Sequence, residues 1–324
     1  MSIADGKTVL ITGGTGSFGN AFVPHVLRSA TPKKVIVFSR DEMKQWEMRR
    51  RLGDDPRVRF FIGDVRDHQR LVRAFAGVDL VIHAAAMKHV PVAEYNPFEA
   101  VKTNIHGAQN VIEAAIDCGV ERVVALSTDK ASSPTNLYGA TKLVSDKLFV
   151  DGTAYAGGRG TRFAVVRYGN VLGSRGSVVP LFREQARSGT LVITDERMTR
   201  FWITLPEGVR FVLDGLARME GGEIFVPKIP SMRVVELARA IAPAAEVRFA
   251  GMRPGEKLHE ELISVHDARR TVDLGPCYVV EPDMEWWSAG PRRGEPVAAD
   301  FRYTSDSNTE WLDCERLREM LVDV

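Results

Sequence analysis

The chain has 324 residues, of which 44% are hydrophobic and 26% are charged, and its formal net charge is +1. This length allows one large domain or two closely joined ones, and the near-neutral charge gives no electrostatic footprint for nucleic acid. No apolar stretch approaches the roughly 20 residues that span a bilayer, and the N-terminus lacks a signal-peptide pattern. The cysteines, Cys118, Cys277 and Cys314, are too scattered for a metal motif or a disulfide framework. We therefore expect a soluble cytoplasmic protein that binds no metal, no membrane and no nucleic acid.

Short apolar runs alternate with helical patterns over the first half of the chain. The pattern predicts strands at 8–12, 35–38, 58–62, 80–83, 123–127 and 163–168. It predicts helices at 18–29, 42–51, 67–75, 97–118 and 136–149. Strand–helix alternation of this kind is typical of an α/β fold with a doubly wound parallel sheet, the Rossmann arrangement.

The regular alternation of predicted strands and helices ends after Tyr168. Beyond it the sequence predicts helices at 178–188, 206–218 and 232–240, short strands at 191–194 and 223–226, and an irregular tail from about Leu274. We expect a Rossmann domain over residues 1–169 and a smaller C-terminal domain over residues 170–324, with an interleaved boundary between them.

The first predicted strand runs into a glycine-rich turn that opens the first helix. Gly13, Gly16 and Gly19 have a G-x-x-G-x-x-G spacing. Glycines allow a tight turn and a close approach of the backbone to a pyrophosphate at the helix N-terminus. We expect dinucleotide binding here; the alternative is merely a tight strand–helix turn. The predicted contacts in this turn are Thr12, Gly13, Thr15, Gly16, Ser17, Phe18 and Gly19.

The second strand ends at Ser39 and Arg40, and Asp41 comes only after them. Sites that prefer NAD place an acid at this strand end, whereas an arginine can pair with the 2′-phosphate of NADP. We therefore favour NADP, although Arg40 has the alternative of being a solvated loop charge.

Further cofactor contacts are expected at the ends of the third and fourth strands. Asp64 closes the third strand beside the adenine, or else caps the next helix. His83 and His89 are expected to pack or hydrogen-bond, and Asn104 to position the site from within its helix. The remaining predicted cofactor contacts are Val65, Ala84, Ala85, Ala86, Lys88, Asn104, Ser127, Tyr138 and Lys142.

The fifth strand ends in Ser127, Thr128, Asp129 and Lys130, and Tyr138 begins a Tyr-x-x-x-Lys pattern on the next helix. A tyrosine and a lysine four residues apart share one helix face. There the ammonium lowers the pKa of the phenol, so that the phenolate can take a proton from an alcohol. An alcohol dehydrogenase needs only Tyr138, Lys142 and one hydroxyl. The added acid and base therefore indicate a second reaction on the oxidised substrate, unless Thr128 and Asp129 are turn or cap residues.

These motifs make the chain resemble the extended short-chain dehydrogenases/reductases and, within them, the inverting UDP-N-acetylglucosamine 4,6-dehydratases of the pseudaminic-acid pathway. The resemblance covers most of residues 5–262. Related dehydratases that retain the C5 configuration carry Glu where Lys130 stands, so the resemblance favours inversion. The matching stretches are TGGTGSFG, FIGDVRD, HAAAMKHVPVAEYNPFEAVKTNI, ALSTDKASSPTNLYGATKLVSDKLFV, VVRYGNVLGSRGSVVP, MTRFWIT, GGEIFVPKIPSM and RPGEKLHE.

The resemblance implies a role for each catalytic residue. Tyr138, helped by Lys142 and Thr128, takes the C4 hydroxyl proton while hydride passes to a tightly bound NADP. Lys130 takes the C5 proton, Asp129 protonates the leaving C6 hydroxyl, and hydride returns to C6. Lys130 must be neutral for this, and we expect burial and neighbouring cations, Lys88 or Lys142, to depress its pKa.

The resemblance also assigns UDP-N-acetylglucosamine contacts to the second half of the chain. The diphosphate is expected at the helix that Ser177 and Val178 open and at Arg253, which binds phosphate bidentately. A surface ion pair is the alternative for each charged residue. The predicted substrate contacts are Lys88, Thr128, Asn170, Val171, Ser177, Val178, Thr194, Met198, Arg200, Arg253 and Glu256.

The resemblance leaves alternatives to this function and implies an assembly. A homo-oligomer, a hexamer or a dimer, is expected. A C4 epimerase or a retaining dehydratase on the same fold remains open, as does a regulatory protein that binds NADP without turnover. An epimerase needs the Tyr–Lys pair but not Asp129 and Lys130, and a regulatory protein often loses Tyr138 or Lys142.

Overall fold

The computed structural model describes residues 2–284, 287 and 294–321. The strands of the first half are β1 (Thr8–Thr12), β2 (Lys34–Ser39), β3 (Val58–Ile62), β4 (Leu80–His83), β5 (Arg122–Thr128) and β6 (Arg162–Tyr168). The helices of the first half are α1 (Ser17–Ser29), α2 (Glu42–Arg51), α3 (His68–Phe75), α4 (Val90–Tyr95), α5 (Pro97–Val101), α6 (Gly107–Asp117) and α7 (Leu137–Tyr155).

The second half is built from shorter pieces. Its strands are β7 (Asn170–Val171), β8 (Thr190–Ile193), β9 (Thr199–Ile203), β10 (Ile224–Pro227), β11 (Ser231–Arg233), β12 (Glu246–Phe249), β13 (Glu261–Ile263), β14 (Thr271–Asp273), β15 (Cys277–Val280), β16 (Glu295–Pro296) and β17 (Tyr303–Thr304). Its helices are α8 (Val178–Ala186), α9 (Leu205–Arg218), α10 (Val234–Ile241), α11 (Val265–Ala268) and α12 (Cys314–Leu321).

The large sheet has the strand order β16-β14-β15-β10-β6-β5-β4-β1-β2-β3. From β3 to β10 every neighbouring pair is parallel, and β15, β14 and β16 extend the sheet in antiparallel pairs. All residues of β1 and β4 are buried, because helices cover both faces of the sheet. The doubly wound parallel sheet is confirmed. Its strand order reverses between β1 and β4, and ligands of such sheets bind outside the carboxyl ends of the strands at that point.

Two hydrophobic cores hold the chain together. The larger one lies around the large sheet and includes Phe22, Phe38 and Phe163, while a second core forms around Trp202 and Phe182. Strands β10, β14, β15 and β16 belong to the large sheet, so the second half of the chain contributes to both cores. Within the described residues, no helix is long and apolar enough to cross a membrane.

The structure corrects two predicted elements. The single helix expected over 97–118 is three pieces, since a π-helical turn at Lys102–His106 separates α5 from α6. The tail from about Leu274 is not irregular throughout, because it contains β15, which pairs with β10, and the terminal helix α12. The other predicted strands and helices are present, with bounds that differ by a few residues.

Candidate active site

A cleft of about 840 Å³ opens at the carboxyl ends of the parallel strands. It is bordered by the glycine turn after β1, by the ends of β2 to β5, and by the loop that precedes α8. The predicted cofactor contacts on its wall are Gly13, Thr15, Gly16, Ser17, Phe18, Ser39, Arg40, Asp41, Asp64, Val65, Ala84, Ala85, Ala86, Lys88, Ser127, Tyr138 and Lys142. The structure thus gathers most of the predicted dinucleotide site in one place.

The glycine turn fits a dinucleotide. Gly13 has a φ of +64°, and a Cβ on it would come within 2.8 Å of the Cα of Ala85. Gly16 caps α1 without a side-chain hydrogen bond, and the first turn of α1 has no acidic residue. The backbone N–H groups at this helix N-terminus therefore remain available to a phosphate.

Two residues predicted for the turn do not line the cleft. Thr12 is fully buried, and its hydroxyl shares a hydrogen bond of 2.8 Å with Nδ1 of His83. Gly19 is buried within α1, where a Cβ would strike the backbone of Gly14, so this glycine permits close helix–strand packing. Their contact with the cofactor stays a prediction that this cleft does not support, whereas the hydrogen-bonded role of His83 is confirmed.

At the ends of β2 and β3 the cleft carries the charges of Arg40 and Asp64. Arg40 is exposed and its guanidinium lies 3.6 Å from the Asp64 carboxylate, which also pairs with Arg66 at 2.7 Å. Asp64 does not cap the next helix, because Asp67 does so by accepting a hydrogen bond from the backbone N–H of Arg70. The capping alternative for Asp64 is therefore wrong.

The side chain of Asn104 hydrogen-bonds to other residues of the protein and does not line the cleft. It is buried on the π-helical turn, its Oδ1 accepts from the backbone N–H of Met87, and its Nδ2 donates to the Met87 carbonyl and to Thr141. Its contact with the cofactor stays a prediction, while these hydrogen bonds support the alternative that it positions the site. The wider turn at Lys102–His106 places the amide between β4 and α7.

Tyr138 and Lys142 lie one turn apart on α7 and are buried at the cleft wall. Burial raises the pKa of Tyr138 to about 12, while the charge of Lys130 and a hydrogen bond with Thr128 oppose the rise. Lys142 donates a hydrogen bond of 2.8 Å to the carbonyl of Leu126, and burial lowers its pKa. The expected net lowering of the phenol pKa is not found in the chain alone, where burial outweighs the opposing charge of Lys130.

Lys130 is held by carboxylates. Its Nζ lies 3.0 Å from Oδ1 of Asp129 and 3.3 Å from Oε1 of Glu260, and both acids are almost completely buried. Burial alone would lower the pKa of Lys130, but the two carboxylates outweigh it and raise that pKa. The predicted depression by Lys88 or Lys142 is therefore wrong. Lys88 is affected in the other direction, because burial and the charge of Lys130 lower its own pKa.

Sequence reasoning missed Glu260. It belongs to the stretch RPGEKLHE, but only Arg253 and Glu256 were predicted from that stretch to contact a ligand. The Glu260 carboxylate also lies 3.7 Å from Nε of Arg200 and 3.8 Å from Nζ of Lys257. Asp129, Lys130 and Glu260 therefore form the centre of a buried network that joins β5 to the second half of the chain.

The predicted substrate contacts divide into two groups. Those on the cleft wall are Lys88, Thr128, Asn170, Val171, Ser177, Val178 and Arg253. The Ser177 hydroxyl is buried without a hydrogen-bond partner among the described residues, and it stands at the N-terminus of α8. This end of the cleft therefore offers a helix N-terminus and an exposed arginine, both of which suit a diphosphate.

Thr194, Met198, Arg200 and Glu256 do not line this cleft. Met198 is packed in the second core, and Arg200 is buried with its guanidinium on the carbonyls of Thr199, Leu258 and Lys257. The Glu256 carboxylate accepts a hydrogen bond from the backbone N–H of Arg253. Their contact with the substrate stays a prediction, and in this structure Arg200 and Glu256 hold the segment that carries Arg253.

The chain has relatives among known proteins. The model of the family described as "Polysaccharide biosynthesis protein" matches residues 9–282. The chain is 53% identical to "UDP-N-acetylglucosamine 4,6-dehydratase (inverting)" of Campylobacter jejuni over 97% of each chain. It is 42% identical to "UDP-glucose 4-epimerase" of Rickettsia canadensis over 98% of this chain and 95% of that one.

A solved structure has a related fold. The dTDP-glucose 4,6-dehydratase DesIV of Streptomyces venezuelae, solved with NAD and TYD bound, superimposes with a TM-score of 0.69. It is 28% identical, and the match covers 78% of this chain and 86% of that one. The chain belongs to the polysaccharide biosynthesis protein family, within the extended short-chain dehydrogenases/reductases, and is a relative of the inverting UDP-N-acetylglucosamine 4,6-dehydratases.

Proposed function

We propose that the chain converts UDP-N-acetylglucosamine to UDP-2-acetamido-2,6-dideoxy-β-L-arabino-hex-4-ulose, with NADP and with inversion at C5. This makes it a carbon–oxygen lyase at the first step of a pseudaminic-acid type sugar synthesis. The observation that carries the proposal is the ion pair between the buried Asp129 and Lys130 on the cleft wall, beside Tyr138. Oxidation at C4 needs only Tyr138, Lys142 and Thr128, whereas the acid–base pair suits a second proton exchange on the ketone.

The glycine turn and the ends of β2 and β3 would hold the dinucleotide. When bound, a nicotinamide dinucleotide supplies a hydride acceptor that is regenerated within each cycle. Arg40 supports NADP over NAD, because an exposed guanidinium on the cleft wall suits a 2′-phosphate. The related DesIV holds NAD, so the dissociation constants of the two dinucleotides are the measurement that separates them.

Tyr138 would take the proton of the C4 hydroxyl. Its hydrogen bond with Thr128 and the positive charge of Lys130 both favour the phenolate. These two groups act against burial, which keeps the pKa of Tyr138 at about 12. Lys142, fixed to the Leu126 carbonyl one turn away, adds a second positive charge on the same helix face.

The contact between Lys130 and Asp129 supplies the protonation states that elimination needs. In the chain alone the proton lies on Lys130, because two carboxylates raise the pKa of this lysine. Transfer of that one proton across the 3.0 Å from Nζ to Oδ1 leaves a neutral amine and a carboxylic acid. The amine can then take the C5 proton, and the acid can protonate the departing C6 hydroxyl.

The second half of the chain would hold the UDP-sugar. Arg253 and the N-terminus of α8 at Ser177 face the same cleft and would bind the diphosphate. Asn170 and Val171, on the short strand β7, line the same cleft. In this proposal residues 1–169 bind the dinucleotide and carry the catalytic groups, and residues 170–324 bind the substrate.

A homo-oligomer, a hexamer or a dimer, is part of the proposal. Large apolar side chains stand exposed on α4 and α5, where Tyr95 is 89% and Phe98 77% exposed. Such a patch beside the cleft suits a contact between subunits. Light scattering coupled to size-exclusion chromatography measures the number of subunits directly.

The product of a single incubation tests the proposal. With UDP-N-acetylglucosamine as substrate, we expect a product lighter by one water and carrying a C4 ketone, detected by mass spectrometry and proton NMR. The 42% identity to a protein named as a 4-epimerase favours epimerisation as the second candidate. An epimer keeps the mass of the substrate, so a product of unchanged mass would replace dehydration by epimerisation.

A further inference from the structure

Asp146 is a buried acid to which the proposed reaction gives no task. It lies on α7 one turn beyond Lys142 and is 1% exposed. Its Oδ2 accepts hydrogen bonds from Oγ of Ser127 at 2.7 Å and from a guanidinium N–H of Arg167 at 3.1 Å. Its Oδ1 is buried and has no hydrogen-bond partner in the part of the chain that the structure describes.

The same carboxylate is tied to the strand that holds Lys142. Lys142 Nζ donates to the carbonyl of Leu126, and Asp146 accepts from the hydroxyl of the next residue, Ser127. The ammonium and the carboxylate are therefore fastened to adjacent residues at the end of β5. Ser127 itself lines the cleft and directly precedes Thr128.

We propose that Asp146 is a positioning residue of this site: through Ser127 it fixes the end of β5, and it places a negative charge one helical turn from the buried ammonium of Lys142. The inference rests on the proposed function, in which Lys142 acts as a cation beside Tyr138. Asp146 reaches the reacting atoms only through Ser127 and Lys142.

The charges around Lys142 support this role. Burial lowers the pKa of Lys142, and the Asp146 carboxylate opposes that lowering. On β4, burial and the Lys142 charge lower the pKa of His83 to about 3, so His83 is neutral and adds no charge beside Lys142. On α7, Tyr138 is a neutral phenol until it reacts, with a pKa of about 12. Asp146 is therefore the anion that sustains the charge of Lys142.

The cations and acids further out act on other groups. Arg167, on β6, faces Asp146 and is held on its other side by Asp267 at 3.7 Å. Lys130 and Asp129, at the end of β5, act on Tyr138 and on each other. Removing the Asp146 charge therefore changes Lys142 most directly, while Arg167 keeps one carboxylate.

The test is the pH dependence of the enzymatic activity of the Asp146→Asn variant. Asparagine keeps the shape and can still accept a hydrogen bond from Ser127, but it lacks the charge. Any function of a cationic Lys142 is lost as pH rises through its pKa, so the alkaline limb of activity should move to lower pH by about one unit.

Asp267→Asn is the matched control. It removes a carboxylate from the same arginine, Arg167, at a residue that is not among the charges acting on Lys142. Its alkaline limb should coincide with that of the wild type. Equal shifts in both variants, or no shift in Asp146→Asn, would overturn the inference.

A second variant keeps the inference testable if Asp146→Asn does not fold. Asp146→Asn leaves Arg167 with one carboxylate, that of Asp267, and breaking a buried ion pair is strongly destabilising. The double variant Asp146→Asn, Arg167→Met removes both charges, and its alkaline limb should move in the same direction. A folded double variant with a wild-type limb would also overturn the inference.

A binding readout separates this inference from the proposed reaction. NADP affinity, followed by tryptophan fluorescence from pH 6 to 10, needs no turnover. Because Lys142 lines the dinucleotide cleft, the loss of affinity at high pH should begin about one unit lower in Asp146→Asn. If the wild type forms no dehydrated sugar, the proposed reaction fails, but this binding curve still supports or overturns the role of Asp146.

Discussion

Replacing Lys130 with methionine should destabilise the fold at neutral pH. Methionine has a similar length but no charge, so the variant leaves Asp129 and Glu260 buried without the cation they share at 3.0 and 3.3 Å. Removing one partner of a buried ion pair costs about 3–5 kcal/mol. Lys257 and Arg200 remain 3.8 and 3.7 Å from Glu260, which argues for the lower end, about 3 kcal/mol.

The sign of the pH dependence follows from the pKa values. The carboxylates raise the pKa of Lys130, so its stabilisation is complete below the ordinary lysine value and is lost only as pH rises through the raised one. In the variant, Asp129 and Glu260 stay buried without that cation. A buried carboxylate without a partner destabilises the fold only when it is ionised, and carboxyls of the unfolded chain ionise above about pH 4. The gap in stability between the wild type and the variant should therefore widen from pH 5 to pH 8.

Differential scanning calorimetry at the two pH values measures this gap. For a chain of this size, 1 kcal/mol corresponds to about 2 °C in melting temperature, so the gap should be about 6 °C at pH 8 and clearly smaller at pH 5. Lys44→Met is the control, since Lys44 pairs with Asp41 on the surface, where ion pairs contribute little. An equal gap at both pH values would refute the reasoning that two buried carboxylates hold Lys130.

Three further predictions concern the cleft. Tyr138→Phe should stop the first hydride transfer, so no 4-keto product forms when substrate is added, as measured by proton NMR; near-normal formation of that product would count against the role. Lys130→Ala should eliminate no water yet bind NADP with wild-type affinity, as measured by fluorescence titration, and normal turnover would remove Lys130 from the mechanism. Gly13→Ala should weaken NADP binding at least tenfold, because its Cβ would meet Ala85 at 2.8 Å; Gly53→Ala, at a similar φ of +65° but in open space, should bind NADP as the wild type does.

The first half of the fold could be predicted because its signals are local. Apolar runs of β-branched residues mark β1 to β6, and the glycine turn marks the start of α1. The π-helical turn at Lys102–His106 has no such signal. It depends on the buried Asn104 amide meeting the Met87 backbone, a contact between residues far apart in sequence. The strands after residue 260 were missed for a similar reason, since each is short and depends on a distant partner strand.

The same distinction explains the candidate site. Tyr138, Lys142 and Lys130 are recognisable by spacing alone, and they do line one cleft. The electrostatics of Lys130 depends on Glu260, which lies far along the chain and carries no motif that points back to β5. The residue type of Arg200 favoured a substrate contact. In the structure its guanidinium is buried and donates to three backbone carbonyls, which is typical of a structural group. Residue type predicted the chemistry, while burial and partners decided which residues reach the cleft.

Proton NMR of the reaction in deuterated water tests the central claim most directly. With UDP-N-acetylglucosamine as substrate, the account predicts a 4-keto-6-deoxy product with deuterium at C5 and inverted C5 geometry, as the Asp129–Lys130 pair requires. A dehydrated product with retained C5 geometry would contradict the assignment of Lys130 as the C5 base, and an undehydrated product would contradict the proposed reaction as a whole.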